Sequence, residues 1–184
     1  MHTISLTVAI NVLFAAALLR AGMPAQVSKS GGHRAMIAIP QSIQAEHKAI
    51  HEALTQATKA PGRVAAAAQE LPAVLGPHFK REDEIALPPL GLLAPLAAGE
   101  KPDGMKEALA MSDPLRKEMP RMLEEHKHIR AATEKLRTVA REDHASAHAQ
   151  FAEQLAAHAT SKEEVLYPAA ILVGDIIRTR MAEY

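Results

Sequence analysis

The sequence has no cysteine, no tryptophan, and only three phenylalanines and two tyrosines. Without cysteine, disulfides, thiolate zinc sites and iron–sulfur clusters are excluded. The scarcity of aromatic residues also argues against a β-sheet protein. Its 21 basic and 21 acidic residues cancel, so no net charge attracts nucleic acid or an anionic membrane surface. We therefore expect neither nucleic-acid binding nor stable membrane association.

Histidine is abundant, with ten copies in 184 residues. In a chain without cysteine, imidazole and carboxylate are the side chains that could bind a transition metal, and they suit iron, manganese or zinc. Most of the hydrophobic residues are alanine and leucine, which favour helix. The composition therefore predicts an all-α protein, large enough for one domain.

The first 35 residues are predicted to lie outside the folded domain, which would span residues 36–184. The apolar stretch 6–19 has the length of a signal-peptide core and is too short to cross a bilayer comfortably. No Lys or Arg precedes this stretch, which favours an extension before a true start at Met36, and a cytoplasmic location. A cleavable signal within residues 1–25, and therefore export, is one alternative, and an ordered extra helix is another.

The helical periodicity after Met36 predicts an antiparallel up-and-down four-helix bundle with a short C-terminal helix. The four predicted helices span residues 41–59, 63–87, 113–141 and 143–166, with a short helix possible at 105–111. Pro72 and Pro77 are expected to kink the second helix, and Asp113 to cap the third. Pro168 is expected to end the fourth before a terminal helix at 169–183, or to kink one continuous helix.

An internal repeat relates the two halves of this bundle. The segment EHKAI at 46–50 recurs as EHKHI at 125–129, and HFKREDE at 78–84 recurs as HATSKEE at 158–164. In the second pair, each histidine precedes a proline by ten residues and is followed by acids at the fifth and sixth positions. Two such halves would bring four histidines together at the bundle axis.

The spacing within these segments indicates which side chains can converge. His78 and Glu82 are four residues apart, so they share one helix face. His158 and Glu163 are five apart, which needs a long side chain or a local π-type widening of the helix. Lys162 has the better spacing, but a cation is not expected to bind a metal.

The order of these elements resembles the hemerythrin family, in which five histidines and two carboxylates hold two irons inside a four-helix bundle. The family carries His-x-x-x-Glu on the second helix and a histidine with an acid five residues later on the fourth. The resemblance covers about residues 39–180. It implies a non-haem centre of two iron ions, although the ligands would also accept zinc or manganese. The ligands it implies are His47, His78, Glu82, His126, His158 and Glu163.

One departure from the family pattern concerns the third helix, where Arg130 stands in place of a second histidine. Either one iron takes water or a carboxylate there, or His51 on the first helix supplies the missing imidazole. We favour His51, because the repeat makes the first and third helices interchangeable. His51 is also four residues from His47 and therefore on the same face.

Several other residues have predicted roles. Asp83 or Glu84 could replace Glu82 as the ligand, and Glu164 could replace Glu163. We expect Glu46 and Glu125 to lie beside the ligands or in solvent, and Tyr167 to pack in the core or donate a hydrogen bond near the centre. Solvent positions are expected for His2, His33, His128, His144 and His148. Core positions are expected for Leu75, Phe79, Leu87, Ile129, Leu136, Phe151 and Leu155.

Three functions are compatible with such a centre. The first, which we favour, is binding of dioxygen or a related small molecule such as nitric oxide or peroxide. The second is an enzyme that acts on peroxide or nitric oxide, with catalase-like turnover as the simplest case. The third is a structural or iron-sensing module whose folding depends on the metal. The sequence leaves open whether the protein is an enzyme, and its protein partners are unknown.

Overall fold

In the computed structural model, the described residues 37–182 contain helices and turns and no strand. The helices are α1 (Gln41–Thr58), α2 (Arg63–Ala68), α3 (Leu71–Arg81), a first π segment (Glu82–Ala86), a 3₁₀ helix (Pro88–Leu92), α4 (Leu93–Ala97), α5 (Met105–Glu142), α6 (Ser146–Ser161), a second π segment (Lys162–Leu166) and α7 (Tyr167–Ala182). This confirms the all-helical prediction. The antiparallel up-and-down arrangement stays a prediction.

The second predicted helix is divided into α2, α3 and the first π segment. Pro72 is the second residue of α3, where its missing N–H has no partner to lose. Pro77 lies inside α3 without ending it. The π segment then adds one residue to the helical turn, and it begins at Glu82.

The predicted start of the third helix at Asp113 is wrong. A single helix, α5, runs from Met105 to Glu142 and contains both Pro114 and Pro120. Each proline removes one backbone hydrogen bond, but the adjoining Leu115 and Met122 are fully buried and hold these turns in the core. The Asp113 side chain pairs with Arg178 on α7 instead of capping a helix.

The fourth helix continues across Pro168, as one of the two alternatives predicted. α6, the second π segment and α7 follow one another without a gap, and the 16 residues of α7 nearly match the length of the predicted segment 169–183. Ser112 of α5 donates a hydrogen bond to the Ala170 carbonyl of α7 at 2.8 Å. A Cβ on Gly174 would lie 2.6 Å from the Ser112 Cβ, so glycine permits this close approach of α5 and α7.

Two apolar clusters form most of the core around α5. The first includes Phe79 and the second includes Tyr167. The residues predicted to be core are all buried, which confirms them: Leu75, Phe79, Leu87, Ile129, Leu136, Phe151 and Leu155. The polar residues described below contact Phe79 of the first cluster and Tyr167 of the second, so apolar side chains flank them on both sides.

Residues 1–36 lie outside the described residues, and so do the predictions made for the N-terminal extension. Between residues 37 and 182, no helix has both the length and the apolar character that a membrane span requires. The cytoplasmic location stays a prediction.

The core assignment predicts different costs for the same substitution at two leucines. Leu136 is fully buried, whereas 57% of Leu172 on α7 is exposed. Leu136→Ala should lower the free energy of unfolding by about 2–5 kcal/mol, because it removes buried methyl groups and leaves a cavity. Leu172→Ala should change it by less than about 0.5 kcal/mol. Urea unfolding followed by circular dichroism measures both, and equal costs would contradict the assigned core.

Candidate metal centre

Four histidines and one glutamate converge in the interior of the bundle. His47 comes from α1, His78 from α3, His126 from α5 and His158 from α6, and Glu82 opens the first π segment. All five are buried, and Glu82 is completely inaccessible to solvent. They form two groups of possible metal ligands, His47–Glu82–His158 and His78–Glu82–His126, whose donor atoms lie within 4.8 Å of one another in each group. The groups share the Glu82 carboxylate.

Two further buried side chains, Tyr167 and Lys162, reach these groups. The Tyr167 hydroxyl donates a hydrogen bond to Glu82 Oε1 at 2.6 Å and lies 3.3 Å and 3.4 Å from the Nε2 atoms of His78 and His126. The Lys162 Nζ lies 3.0 Å from His47 Nε2 and 3.6 Å from Glu82 Oε1. Lys162 therefore adjoins the group that contains His47, and Tyr167 adjoins the group that contains His78 and His126.

A carboxylate from another helical element faces the outer nitrogen, Nδ1, of each of the four imidazoles. The Nδ1–carboxylate pairs are His78 with Glu125 at 2.8 Å, His126 with Glu163 at 2.8 Å, His158 with Glu46 at 3.1 Å and His47 with Asp83 at 3.6 Å. At His78 and His126 the contact is a hydrogen bond. A carboxylate in this position holds the proton on Nδ1 and turns the Nε2 lone pair inward, which is the arrangement common around metal-binding histidines. Glu46 and Glu125 thus lie beside two of the predicted ligands, His158 and His78, and the assignment of these histidines as ligands stays a prediction.

The inward nitrogens make contacts that neutral imidazoles with the proton on Nδ1 cannot satisfy. His78 Nε2 and His126 Nε2 are 2.9 Å apart, although the carboxylates engage the Nδ1 protons of both rings. His47 Nε2 faces both the Lys162 ammonium and, at 3.2 Å, Glu82 Oε2. One nitrogen cannot accept a hydrogen bond from the first and donate one to the second. Opposed lone pairs of this kind are stabilised by a cation, so these residues fit a metal ion.

Three buried polar atoms have no hydrogen-bond partner within the described residues: Glu82 Oε2, His158 Nδ1 and His158 Nε2. The contact of His158 Nδ1 with Glu46 is short but poorly aligned for a hydrogen bond. Because an unpartnered buried polar atom is costly, these atoms also favour a ligand in the group that contains His47.

The pKa values of Glu82, His158 and His126 favour the protonation states that bind a cation. Burial raises the pKa of the Glu82 carboxyl, but its contacts with His47, Lys162 and Tyr167 outweigh burial and lower the pKa to about 2. Burial and the charge of Lys162 lower the pKa of His158 to about 4. Burial also lowers the pKa of His126, helped by the charge of His78. Near neutral pH, Glu82 is therefore ionised and these two imidazoles are neutral, the forms that bind metals.

The other two inward groups also have shifted pKa values. Burial lowers the pKa of the Lys162 ammonium, while the Glu82 charge opposes this effect. Burial and the Glu82 charge raise the pKa of Tyr167. The Tyr167 hydroxyl therefore keeps its proton and acts as a donor.

The structure does not bring Glu163 into either group. Its carboxylate contacts the outer Nδ1 of His126 and accepts two hydrogen bonds from the Arg130 guanidinium, at 2.8 Å and 2.7 Å. The π-type widening expected near Glu163 is present, but it directs Lys162 inward. Arg130, which departs from the family pattern, thus pairs with the predicted carboxylate ligand.

His51 also lies apart from the two groups. It is exposed on α1, and its ring meets the edge of Phe79 at a centroid distance of 5.1 Å. Together with His47 and Asp83 it lines an open cleft of about 660 Å³. The proposal that His51 replaces the histidine missing at Arg130 would require a movement of α1 side chains, and its role as a ligand stays a prediction.

The alternative carboxylate ligands and the histidines predicted to lie in solvent are outside the two groups. Asp83, Glu84 and Glu164 are exposed, as are His128 and His144, whereas His148 is half-buried. Within residues 37–182, the five convergent residues therefore come from the set suggested by the resemblance, with Glu163 adjacent to it.

The hemerythrin HHE cation-binding domain model matches residues 38–170 of this chain, which is more than half of its length. The chain belongs to the hemerythrin HHE cation-binding domain family. Searches of curated proteins and of solved structures found no significant match. Family membership and the two His/Glu groups together indicate a metal-binding helical protein.

Lys162 of this HHE domain has a place at the centre that the sequence reasoning does not predict, because a cation does not bind a metal. Its spacing from His158 nevertheless equals that of Glu82 from His78. Tyr167 fulfils both alternatives given for it, since it packs in the core and its hydroxyl donates a hydrogen bond to Glu82. The internal repeat indicates that the Lys162 side chain points inward, since position 162 corresponds to position 82.

The position of Glu163 predicts an effect on metal binding through His126. Glu163→Gln should weaken metal binding by about 10–100-fold, because the amide no longer holds the Nδ1 proton as a carboxylate does. The matched control is Glu164→Gln, which removes the same charge from an exposed neighbour and should leave the affinity unchanged. Metal titration in competition with a chelator measures both. Equal affinities for the two variants would contradict this role of Glu163.

Proposed function

We propose that this chain is a non-haem iron protein with two iron positions that share Glu82, and that its iron centre binds dioxygen or a related small molecule. The observation that carries the proposal is the pair of buried His/Glu groups with one carboxylate in common. A charged carboxylate without any solvent exposure is costly unless cations compensate it. Two metal ions on either side of Glu82 would do so.

The orientation of Glu82 supports a bridging role. Its Oε2 lies 3.2 Å from His47 Nε2, and its Oε1 lies 3.9 Å from His78 Nε2. The two oxygens are therefore turned toward different groups. Since each group contributes two imidazoles of its own, His47 and His158 would hold one ion, and His78 and His126 the other.

Iron is the metal that the family resemblance favours, and nitrogen and oxygen ligands suit it. Zinc and manganese accept the same ligands. When bound, iron with open coordination positions supplies redox chemistry toward dioxygen, nitric oxide or peroxide. Two imidazoles and one shared carboxylate for each ion leave such positions open.

The surrounding residues prepare the site for a small, uncharged molecule. Phe79 stacks on the His47 ring at a centroid distance of 4.7 Å and limits the space beside it. The cleft beside His47 gives access from solvent, and His158 lines a second cleft of about 480 Å³ on the other side of α1. A diatomic molecule or peroxide would therefore reach the group that contains these two histidines.

An enzyme acting on peroxide or nitric oxide is the second candidate, and the positions of Lys162 and Tyr167 favour it. Both place a hydrogen-bond donor inside the bundle within 3.6 Å of Glu82. In catalase-like disproportionation, one hydrogen peroxide molecule is reduced to water and takes up two protons, while a second is oxidised to dioxygen and releases two. Buried polar groups at the centre could relay these protons. Repeated consumption of hydrogen peroxide by the iron-loaded protein would distinguish this function from reversible binding.

The proposed function predicts both an iron content and a spectrum. The full-length protein saturated with Fe(II) under argon should contain two iron ions per chain, and dioxygen or nitric oxide should change its visible spectrum, reversibly if the protein is a carrier. Glu82→Gln should lose most of the iron, because the shared carboxylate is removed from both groups. Elemental analysis and absorption spectroscopy measure these outcomes.

Glu84→Gln is the control, since it removes an exposed carboxylate only two residues away. It should bind iron like the unmodified protein. A folded protein that takes up no iron would overturn the proposed function. Iron binding that stabilises the fold without any reaction toward dioxygen, nitric oxide or peroxide would support the structural module instead.

A further inference from the structure

Lys162 occupies an unusual place for a lysine. Its side chain is completely buried, whereas lysine is almost never fully buried unless it is paired. It follows His158 by four residues, just as Glu82 follows His78. A cation therefore stands in one half of the bundle at the position where the other half places the shared carboxylate.

The ammonium group of Lys162 lies against the imidazole of one proposed iron position and also reaches the shared Glu82 carboxylate. Its Nζ lies 3.0 Å from His47 Nε2 and 3.6 Å from Glu82 Oε1. The other position, at His78 and His126, adjoins the uncharged Tyr167 hydroxyl instead. Among the four histidines, Lys162 contacts His47, so its ammonium lies closer to the His47 position than to the position of His78 and His126.

A metal ion and the Lys162 ammonium compete for the same atom. A neutral imidazole has a single lone pair on Nε2, so His47 can direct it to the ammonium or to a metal ion, but not to both. An ion bound beside the ammonium would also meet the repulsion of a like charge at short range. Metal binding at His47 therefore requires that Lys162 move away.

We propose that Lys162 makes the two iron positions unequal: the first Fe(II) binds tightly at His78–Glu82–His126, while the ammonium holds the His47–Glu82–His158 position until a second ion displaces it. This inference rests on the proposed iron binding and adds an order of loading to it. It also means that the chain carries a cation of its own in the place of the second metal.

The test is an anaerobic titration of the full-length, metal-stripped protein with Fe(II) in competition with a chromophoric chelator. The unmodified protein should bind one ion tightly and a second at least about 100-fold more weakly, because of the charge repulsion. Lys162→Met keeps an unbranched side chain that is one atom shorter and removes the charge, and should bring the two affinities within about tenfold of each other.

Lys127→Met is the matched control. Lys127 is exposed on α5 beside His126, and its ammonium pairs with Glu124 rather than with the centre. The same charge is lost, but the gap between the two affinities should remain. Circular dichroism of each variant establishes that it is folded.

A second pair of variants tests the order of loading without changing Lys162. His78→Ala should remove the tight step, and His47→Ala the weak step. This pair keeps the inference falsifiable if Lys162→Met fails to fold.

Different results overturn different parts of the account. Two equal affinities in the unmodified protein, or an unchanged gap in folded Lys162→Met, would overturn the role of Lys162 and leave iron binding intact. Loss of an ion in folded Lys162→Met would show that the amine is itself a ligand, which also overturns the inference. No iron bound by the unmodified protein would overturn the proposed function together with the inference.

Discussion

The interior of this bundle is organised around the buried charge of one carboxylate, Glu82. An ionised group without solvent exposure is stable only if cations and donors surround it. The chain supplies the Lys162 ammonium and the Tyr167 hydroxyl, and it turns imidazole nitrogens from four helices toward the same point. The two apolar clusters that flank the site exclude water and make these interactions stronger than they would be at the surface.

The outer carboxylates connect this centre to the bundle as a whole. Each of the four histidines is faced by an acid from another helical element. These contacts join α1, α3 with the π segment that follows it, α5, and α6 with the π segment that follows it into a closed ring. The two π segments are part of this ring. The extra residue in each turn lets one side chain point inward and the next one outward. Glu82 and Lys162 point inward, and Asp83 and Glu163 face the outer nitrogens of His47 and His126. Arg130 secures the ring from outside by holding Glu163. Helix packing and site geometry therefore depend on each other.

The sequence predicted the helices and the convergence of the histidines because both follow from local periodicity and an internal repeat. It did not predict that α5 would pass through Pro114, since tertiary packing of Leu115 and Met122 compensates the lost hydrogen bond, and packing cannot be read from local pattern. Lys162 was missed for a chemical reason. A lysine cannot bind a metal as a cation, but a buried carboxylate requires a counter-charge, and position 162 has the right spacing to supply it.

The central claim is that the convergent histidines and Glu82 hold the metal. Anomalous diffraction at the iron absorption edge, from crystals of the iron-loaded protein, tests it most directly. We predict an anomalous peak in the interior, bounded by Glu82, His78 and His126. A second and weaker peak should lie between Glu82, His47 and His158. An iron peak confined to the outer cleft beside His51, or to the protein surface, would contradict it.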